Sequence, residues 1–242
     1  PPTTHPNAPD APPPISGRML PPRPGIISML IRAFQDMDEK PVKFVPISMN
    51  YEKVLEGNSY HKEAMGDAKK RESLRSILRV AKDFRGYLGN AYLQIGEPID
   101  LKEFLDNNFE NWADNIISEE LDNSSTQQWL YDLTPRLGKE IMKNINKATV
   151  VTPSALFASA ILNANKFRLS KEKLKSRISL YTNLIKLSDY SEQISIPECD
   201  PEQVLQKVEK LQLINKLSNS KKIELNFQQA AMLSFYKNNI CL

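Results

Sequence analysis

The hydrophobic period of this chain changes part-way along, and that change limits the folds open to it. Up to about residue 110, helical spacing alternates with short extended runs; beyond about residue 134 helical spacing stands almost alone. Ile27, Leu30, Ile31 and Phe34 recur at i, i+3, i+4 and i+7, which predicts an amphipathic helix over 25–37. Residues 42–49 are mostly β-favouring and predict a short strand buried on both faces. A polar connection carrying Tyr51, Glu52, Tyr60 and Lys62 follows, then a helix over 69–84 with Leu74, Ile77, Leu78, Ala81 and Phe84 on one face. In 89–96, Ala91, Leu93 and Ile95 alternate against Tyr92 and Gln94, a second strand. Asp100-x-x-Glu103 resembles a capping box that opens a helix over 101–107. Helix, strand, helix, strand, helix in this order predicts an α/β layer, here a partial one over 17–117.

The polar, acidic run at 118–128 predicts a loop, and with the residues after it a linker over 118–133. A mainly α-helical C-terminal region is expected over 134–242. Leu137, Ile141 and Ile145 line one helix; Leu174, Ile178, Tyr181 and Ile185 line another behind a Ser170 cap; Val204, Val208, Leu211 and Ile214 line a third. A short strand over 223–225 precedes a last helix from about Phe227. The longest apolar stretch, 148–162, is interrupted by Thr152, Pro153 and Ser154 and falls short of the ~20 residues that cross a bilayer. It predicts a buried core helix. Residues 1–16 are dominated by proline, which removes backbone donors and fixes φ, so they predict an extended or disordered leader.

Charge and composition exclude several functions. A net charge of +3 permits attraction to an anionic surface but is too weak for nucleic acid, and the mixed charge of 200–241 argues against a winged-helix reader. The chain has two cysteines, Cys199 and Cys241, and two histidines, His5 and His61, so neither a disulfide scaffold nor a metal site is expected.

Several short stretches carry the chemistry. They are Gly17-Arg18…Pro22-Arg23-x-Gly25, Val45-Pro46-Ile47 leading to Tyr51-Glu52-Lys53-Val54, Tyr60-x-Lys62-Glu63, and Gly66-x-x-Lys69-x-x-Glu72-Ser73-Leu74. Tyr92-x-x-x-Gly96-Glu97-Pro98, Ile145-Asn146-x-Ala148-Thr149-Val150-Val151-Thr152-Pro153 and Phe235-Tyr236-Lys237-Asn238-Asn239-Ile240 follow. In this order and spacing, over roughly 17–241, they resemble the bacterial membrane-associated glycerol-3-phosphate 1-O-acyltransferase family and its dihydroxyacetone-phosphate acyltransferase relatives. The resemblance implies transfer of a fatty acyl group from acyl-CoA or acyl carrier protein to glycerol 3-phosphate, in phospholipid biosynthesis. It implies no cofactor beyond that thioester co-substrate. It also implies a peripheral position on the cytoplasmic face of the inner membrane, with the membrane surface as partner and no nucleic acid.

Residue by residue, the resemblance implies that Arg18 and Arg23 face the substrate phosphate, for which guanidinium groups offer a planar fork of donors. It implies that Val42, Phe44, Val45, Pro46 and Ile47 form the acyl-pocket strand, with Phe44 where a smaller aliphatic is usual. Such enzymes use a His-x4-Asp pair, the histidine as general base and the aspartate to orient it, and a Glu-Gly-x-Arg-Ser run for the phosphate. The residues ahead of Gly17 read Ala11-Pro12-Pro13-Pro14-Ile15-Ser16 instead. His5 and Asp10 have the catalytic spacing, but they sit in the proline-rich leader with nothing to hold a base in place, and the match reads as coincidence. His61 has no acidic partner at catalytic spacing, and Lys69-Lys70-Arg71 reads as a solvated helix start. No catalytic residue or metal ligand is assigned. The expectation is a truncated family member, inactive alone and with an exposed apolar sheet edge; the alternative is a non-catalytic remnant or an accessory membrane-docking or interaction domain.

Overall fold

The computed structural model describes residues 19–35, 40–54, 88–110, 112, 123–188, 190–214 and 221–239. The leader over 1–16, the helix over 69–84 and the residues Arg18, Tyr60, His61 and Lys62 lie outside them.

Two cores organise the described residues. The first gathers helix α1 (Pro24–Gln35), the two-residue strands β1 (Lys43–Phe44) and β4 (Ile99–Asp100), helix α2 (Leu101–Asn108) and the first half of helix α3 (Asn123–Lys147). Ile31, Leu101, Leu105, Leu133 and Leu137 are fully buried there, with Ile27, Phe34, Val42 and Phe44 packed against them. α1 presents Ile27 and Ile31 to this core as the i, i+4 spacing predicts, while Ile26 and Met29 remain exposed. α2 starts at Asp100, whose carboxylate accepts from the N–H groups of Lys102 at 3.0 Å and Glu103 at 3.2 Å.

α3 departs from the expected linker over 118–133, because residues from Asn123 onward are helical. Trp129, Leu130, Leu133 and Leu137 fall on one face of it and are buried in the first core, which outweighs the low helix propensity of the polar turns before them. The helix therefore ties the two halves of the chain together instead of separating them.

The second core is built around helix α4 (Pro153–Leu162), which answers to the apolar stretch over 148–162. Its first six residues are all buried. Thr152 caps it, accepting from the Ala155 N–H at 3.2 Å, and Pro153 occupies the first turn where no N–H is needed. Helices α5 (Lys171–Lys186), α6 (Pro201–Lys210) and α7 (Phe227–Asn238) surround it. Ala155, Ala158 and Ala160 keep the shaft narrow enough for three neighbours. Ser170 caps α5 as expected, and full capping boxes, Asp200 with Gln203 and Asn226 with Gln229, open α6 and α7. Strands β5 (Arg168–Ser170) and β6 (Lys222–Glu224) pair antiparallel beside this bundle. No helix among the described residues is long and apolar enough to cross a membrane.

Between the cores lies an antiparallel ribbon of β2 (Ile47–Tyr51) and β3 (Ala91–Ile95), with Ile47 opposite Ile95 and Met49 opposite Leu93. The single strand expected over 42–49 is broken at Val45–Pro46, where proline has no N–H to continue a ladder. Burial on both faces is also corrected: Ser48, Asn50 and Glu52 point inward, while Ile47, Met49 and Tyr51 point outward.

Candidate functional site

The inward face of the ribbon carries the most connected group of polar side chains. Glu52 is completely buried, and every polar atom of it is engaged. Its N–H donates to the Asn90 carbonyl at 3.0 Å and its own carbonyl accepts from the Ser154 hydroxyl at 2.5 Å. One carboxylate oxygen accepts from the Asn90 N–H at 2.9 Å; the other accepts from the Tyr92 hydroxyl at 2.6 Å and pairs with Lys207 Nζ at 2.6 Å. A buried carboxylate is tolerable only with this many donors.

Gly89 makes the arrangement possible. Its φ is +76°, and a Cβ there would sit 2.4 Å from Glu52 Oε2 and 2.9 Å from Leu211 Cδ2. Gly89→Ala is therefore expected to destabilise the fold by about 2 kcal/mol, from left-handed strain plus displacement of the carboxylate; a denaturation midpoint unchanged from the parent chain would refute this.

Two further anchors flank Glu52. Asn50 Oδ1 accepts from the Val150 N–H at 3.1 Å and from the Ser48 hydroxyl at 3.1 Å. The Val54 N–H donates to the Tyr236 hydroxyl at 2.9 Å, a bond between residues 182 apart in sequence. Gly96, whose N–H donates to the Pro46 carbonyl at 2.8 Å, lies so near the end of α3 that a Cβ would be 3.1 Å from the Asn144 carbonyl.

Burial raises the hydroxyl pKa values of Tyr236 and Tyr92, and for Tyr92 the bond to Glu52 adds to it. Each folded-state value lies above the unfolded one, so their contribution is complete below about pH 10 and is lost as pH rises through the folded values. Stability should thus fall above pH 10. Tyr236→Phe should cost about 1 kcal/mol at neutral pH by leaving the Val54 N–H unpaired, and should also flatten the alkaline fall. Chemical denaturation at pH 7 and pH 10.5 measures both; an unchanged alkaline slope would reject the assignment.

Beside these anchors a cleft of about 580 Å³ opens between β2, the end of α3 and the end of α7. Lys143, Asn146, Thr149, Asn238 and Asn239 supply polar groups, and Met49 and Met142 supply apolar surface. The described residues that line it include no histidine, cysteine, aspartate or glutamate. Burial pushes the Cys199 thiol up, against the opposing field of Lys207.

The residues singled out in the sequence are dispersed. Arg23 is exposed, just ahead of α1, and is not among the cleft-lining residues. Val42 and Phe44 pack on the first core, Pro46 is buried, and Val45 and Ile47 are about half exposed. The structure does bring together three of the quoted stretches: Tyr51–Val54, Asn146–Pro153 and Phe235–Asn239 all meet around β2.

A family model described as "Glycerol-3-phosphate acyltransferase C-terminal region" matches residues 60–242. The chain belongs to the glycerol-3-phosphate acyltransferase family. It is 32% identical over 227 residues to the glycerol-3-phosphate acyltransferase of Pseudomonas fluorescens, which covers 93% of this chain and 27% of that protein. It is 33% identical over 227 residues to the enzyme of Pseudoalteromonas translucida, and 33% identical over 229 residues to that of Haemophilus influenzae. Each match covers 93% of this chain and only 28% and 27% of those relatives. The chain thus spans little more than a quarter of the relatives it matches, and corresponds to a C-terminal portion of this acyltransferase family.

Glu52 and Tyr236 stand in two of the stretches quoted from the sequence but without any role assigned to them, and Lys207 was not singled out. Glu52 reads as part of a polar connection, yet it stands two residues beyond Asn50 and four beyond Ser48, on one face of an extended chain. That polar alternation was the available signal. Lys207 carried none, because its partner lies on another element 155 positions earlier.

Proposed function

We propose that this chain supplies the C-terminal part of an enzyme that transfers a fatty acyl group from acyl-CoA or acyl carrier protein to glycerol 3-phosphate, in phospholipid biosynthesis. In that reaction a C–O ester bond forms at the first hydroxyl, the C–S thioester bond breaks, and the thiol leaves with the proton. The observation that carries the reading is family membership, together with the convergence on β2 of three stretches quoted for it. The general base and phosphate-gripping run belong, in this reading, to polypeptide that precedes the matched portion in the relatives. Val42, Phe44, Val45, Pro46 and Ile47 then stand on the acyl side, and Arg18 and Arg23 offer positive charge to the phosphate. The assembled enzyme would sit peripherally on the cytoplasmic face of the inner membrane, close to its lipid product.

A second reading is a non-catalytic accessory or membrane-docking domain. The half-exposed apolar side chains of the ribbon favour it, since they offer a surface for association. An assay separates the two. The isolated chain should show no acylation of glycerol 3-phosphate above the uncatalysed rate, because no positioned base is found among its described residues. Joined in frame behind the preceding portion of the Pseudomonas fluorescens enzyme, it should restore turnover that the preceding portion alone lacks. Turnover by the isolated chain, or no restoration by a folded fusion, would overturn the first reading.

A further inference from the structure

α3 holds two residues that a helix interior disfavours, Pro135 and Gly138, within one turn of each other. Gly138 is buried, and the space its Cβ would take is already filled by a ring: Pro22 Cβ and Cγ would each lie 2.9 Å away. Non-bonded carbon atoms rest about 3.5–4.0 Å apart, and ring carbons cannot swing aside, so a side chain at 138 would displace Pro22 by roughly 1 Å. Ile27 Cδ1 of α1, at 3.5 Å, would meet that Cβ in ordinary contact and is no obstacle.

Pro22 belongs to residues 19–23, which have no regular secondary structure. Met19, Leu20, Pro21 and Arg23 are exposed, and Pro22 is the half-buried member of the five. Among the described residues no backbone hydrogen bond joins this segment to α3. Its course over the helix therefore depends on where that ring is seated. At its far end Met19 stands in the wall of the cleft, with Met142, Ile145 and Asn146 of α3. Gly138, Met142 and Ile145 fall at i, i+4 and i+7, on one face of the helix. The lengths agree as well. Extended chain from Pro22 to Met19 covers roughly 10 Å, and the helical rise from Gly138 to Ile145 is also roughly 10 Å. Adjacent prolines at 21 and 22 fix φ and stiffen the segment, so a shift at Pro22 is carried to Met19 and not absorbed on the way.

We infer that Gly138 is a positioning residue for the cleft: having no side chain, it seats Pro22, and through Pro22 it holds Met19 in the cleft wall. This gives a role to Pro22, which stands without one in the stretch quoted over 17–25, and it sets the point from which Arg23 projects ahead of α1. The inference goes beyond the acyl transfer proposed above and does not depend on it.

A double-variant cycle on the whole chain, read by urea denaturation and by methyl NMR of labelled methionines, tests it. Gly138→Ala should be about ten-fold more favourable to the folded state in a Pro22→Gly chain than in the parent, because the ring it would strike is gone. In the parent background Gly138→Ala should also move the Met19 methyl resonance toward its position in the unfolded chain. The resonance of Met232, which packs on the second core, should stay in place. Met19→Leu and Met232→Leu assign the two signals. Should Gly138→Ala fail to fold, Pro22→Gly alone gives the reading, since it removes the ring from a surface segment and leaves α3 unaltered; Met19 should again move and Met232 should not.

Strict additivity in the cycle overturns the inference, because the ring would then not be seated on Gly138. Coupling with an unmoved Met19 overturns it too, since the contact would be packing without consequence for the cleft. Equal movement of Met19 and Met232 does the same by showing a change spread over the whole fold. No arm uses turnover, so failure here leaves the acyl-transfer reading standing, and failure of that reading leaves this one.

Discussion

Phe157→Ala is expected to lower the unfolding free energy by about 4 kcal/mol. Phe157 is completely buried in α4, the helix that α5, α6 and α7 all contact. Its ring belongs to the same cluster as Leu174, Ile178, Val204, Leu205, Val208 and Leu233, drawn from all three of those helices. Truncation removes the apolar transfer energy of the ring and leaves a cavity that four helices, each held by its own cap, cannot readily close. Against a typical total of about 5–15 kcal/mol, such a loss leaves a marginal fold. Urea denaturation of the parent and the variant measures it. A loss below about 1.5 kcal/mol, the lower end for burying one large apolar side chain, would show that α4 is not the centre of this bundle.

Glu52→Ala is expected to cost about 3 kcal/mol. The substitution leaves three donors without their acceptor: the Asn90 N–H, the Tyr92 hydroxyl and the Lys207 ammonium. Lys207 keeps 24% of its side chain exposed, so water recovers part of its charge and the estimate sits at the low end for a broken buried pair. Removing both ends separates the pair from the burial it demands. Glu52→Ala with Lys207→Met should be less damaging than Glu52→Ala alone, by about 1 kcal/mol, because the part-buried cation that faced the carboxylate is removed with it. A strictly additive double variant would show that the two side chains do not interact across this junction.

The functional consequence of that junction is positional. β2 carries Ile47 and Met49 outward, and it is fastened to the bundle through the polar face behind them. Loosening Glu52 would therefore shift the apolar side as a unit. The stretch at 51–54 thus holds β2 against the bundle.

How much of this was legible beforehand follows from the range of the interactions involved. The helices α1, α2, α4, α5, α6 and α7 could be read from spacing and caps, because a helix satisfies its backbone within a few residues and shows its buried face every three or four. The family could be read as well, since ordered short stretches survive in the linear text. The first turns of α3 could not, because the polar run at 123–128 has little local reason to be helical and owes its state to Trp129 and Leu133 packing on α1 and α2. Arg18 and Arg23 stayed at the level of resemblance: one lies outside the described residues and the other is exposed ahead of α1.

The sequence by itself determined helices α1, α2 and α4 to α7, where the buried shaft of the bundle lies, and to which enzyme family the chain is kin. Only the tertiary structure decided which way β2 faces. Alternation along a strand says that two faces differ but not which is inside, and here the polar face went inward because Val150, Ser154, Lys207 and Tyr236, brought from 100 to 182 residues away, supply its partners.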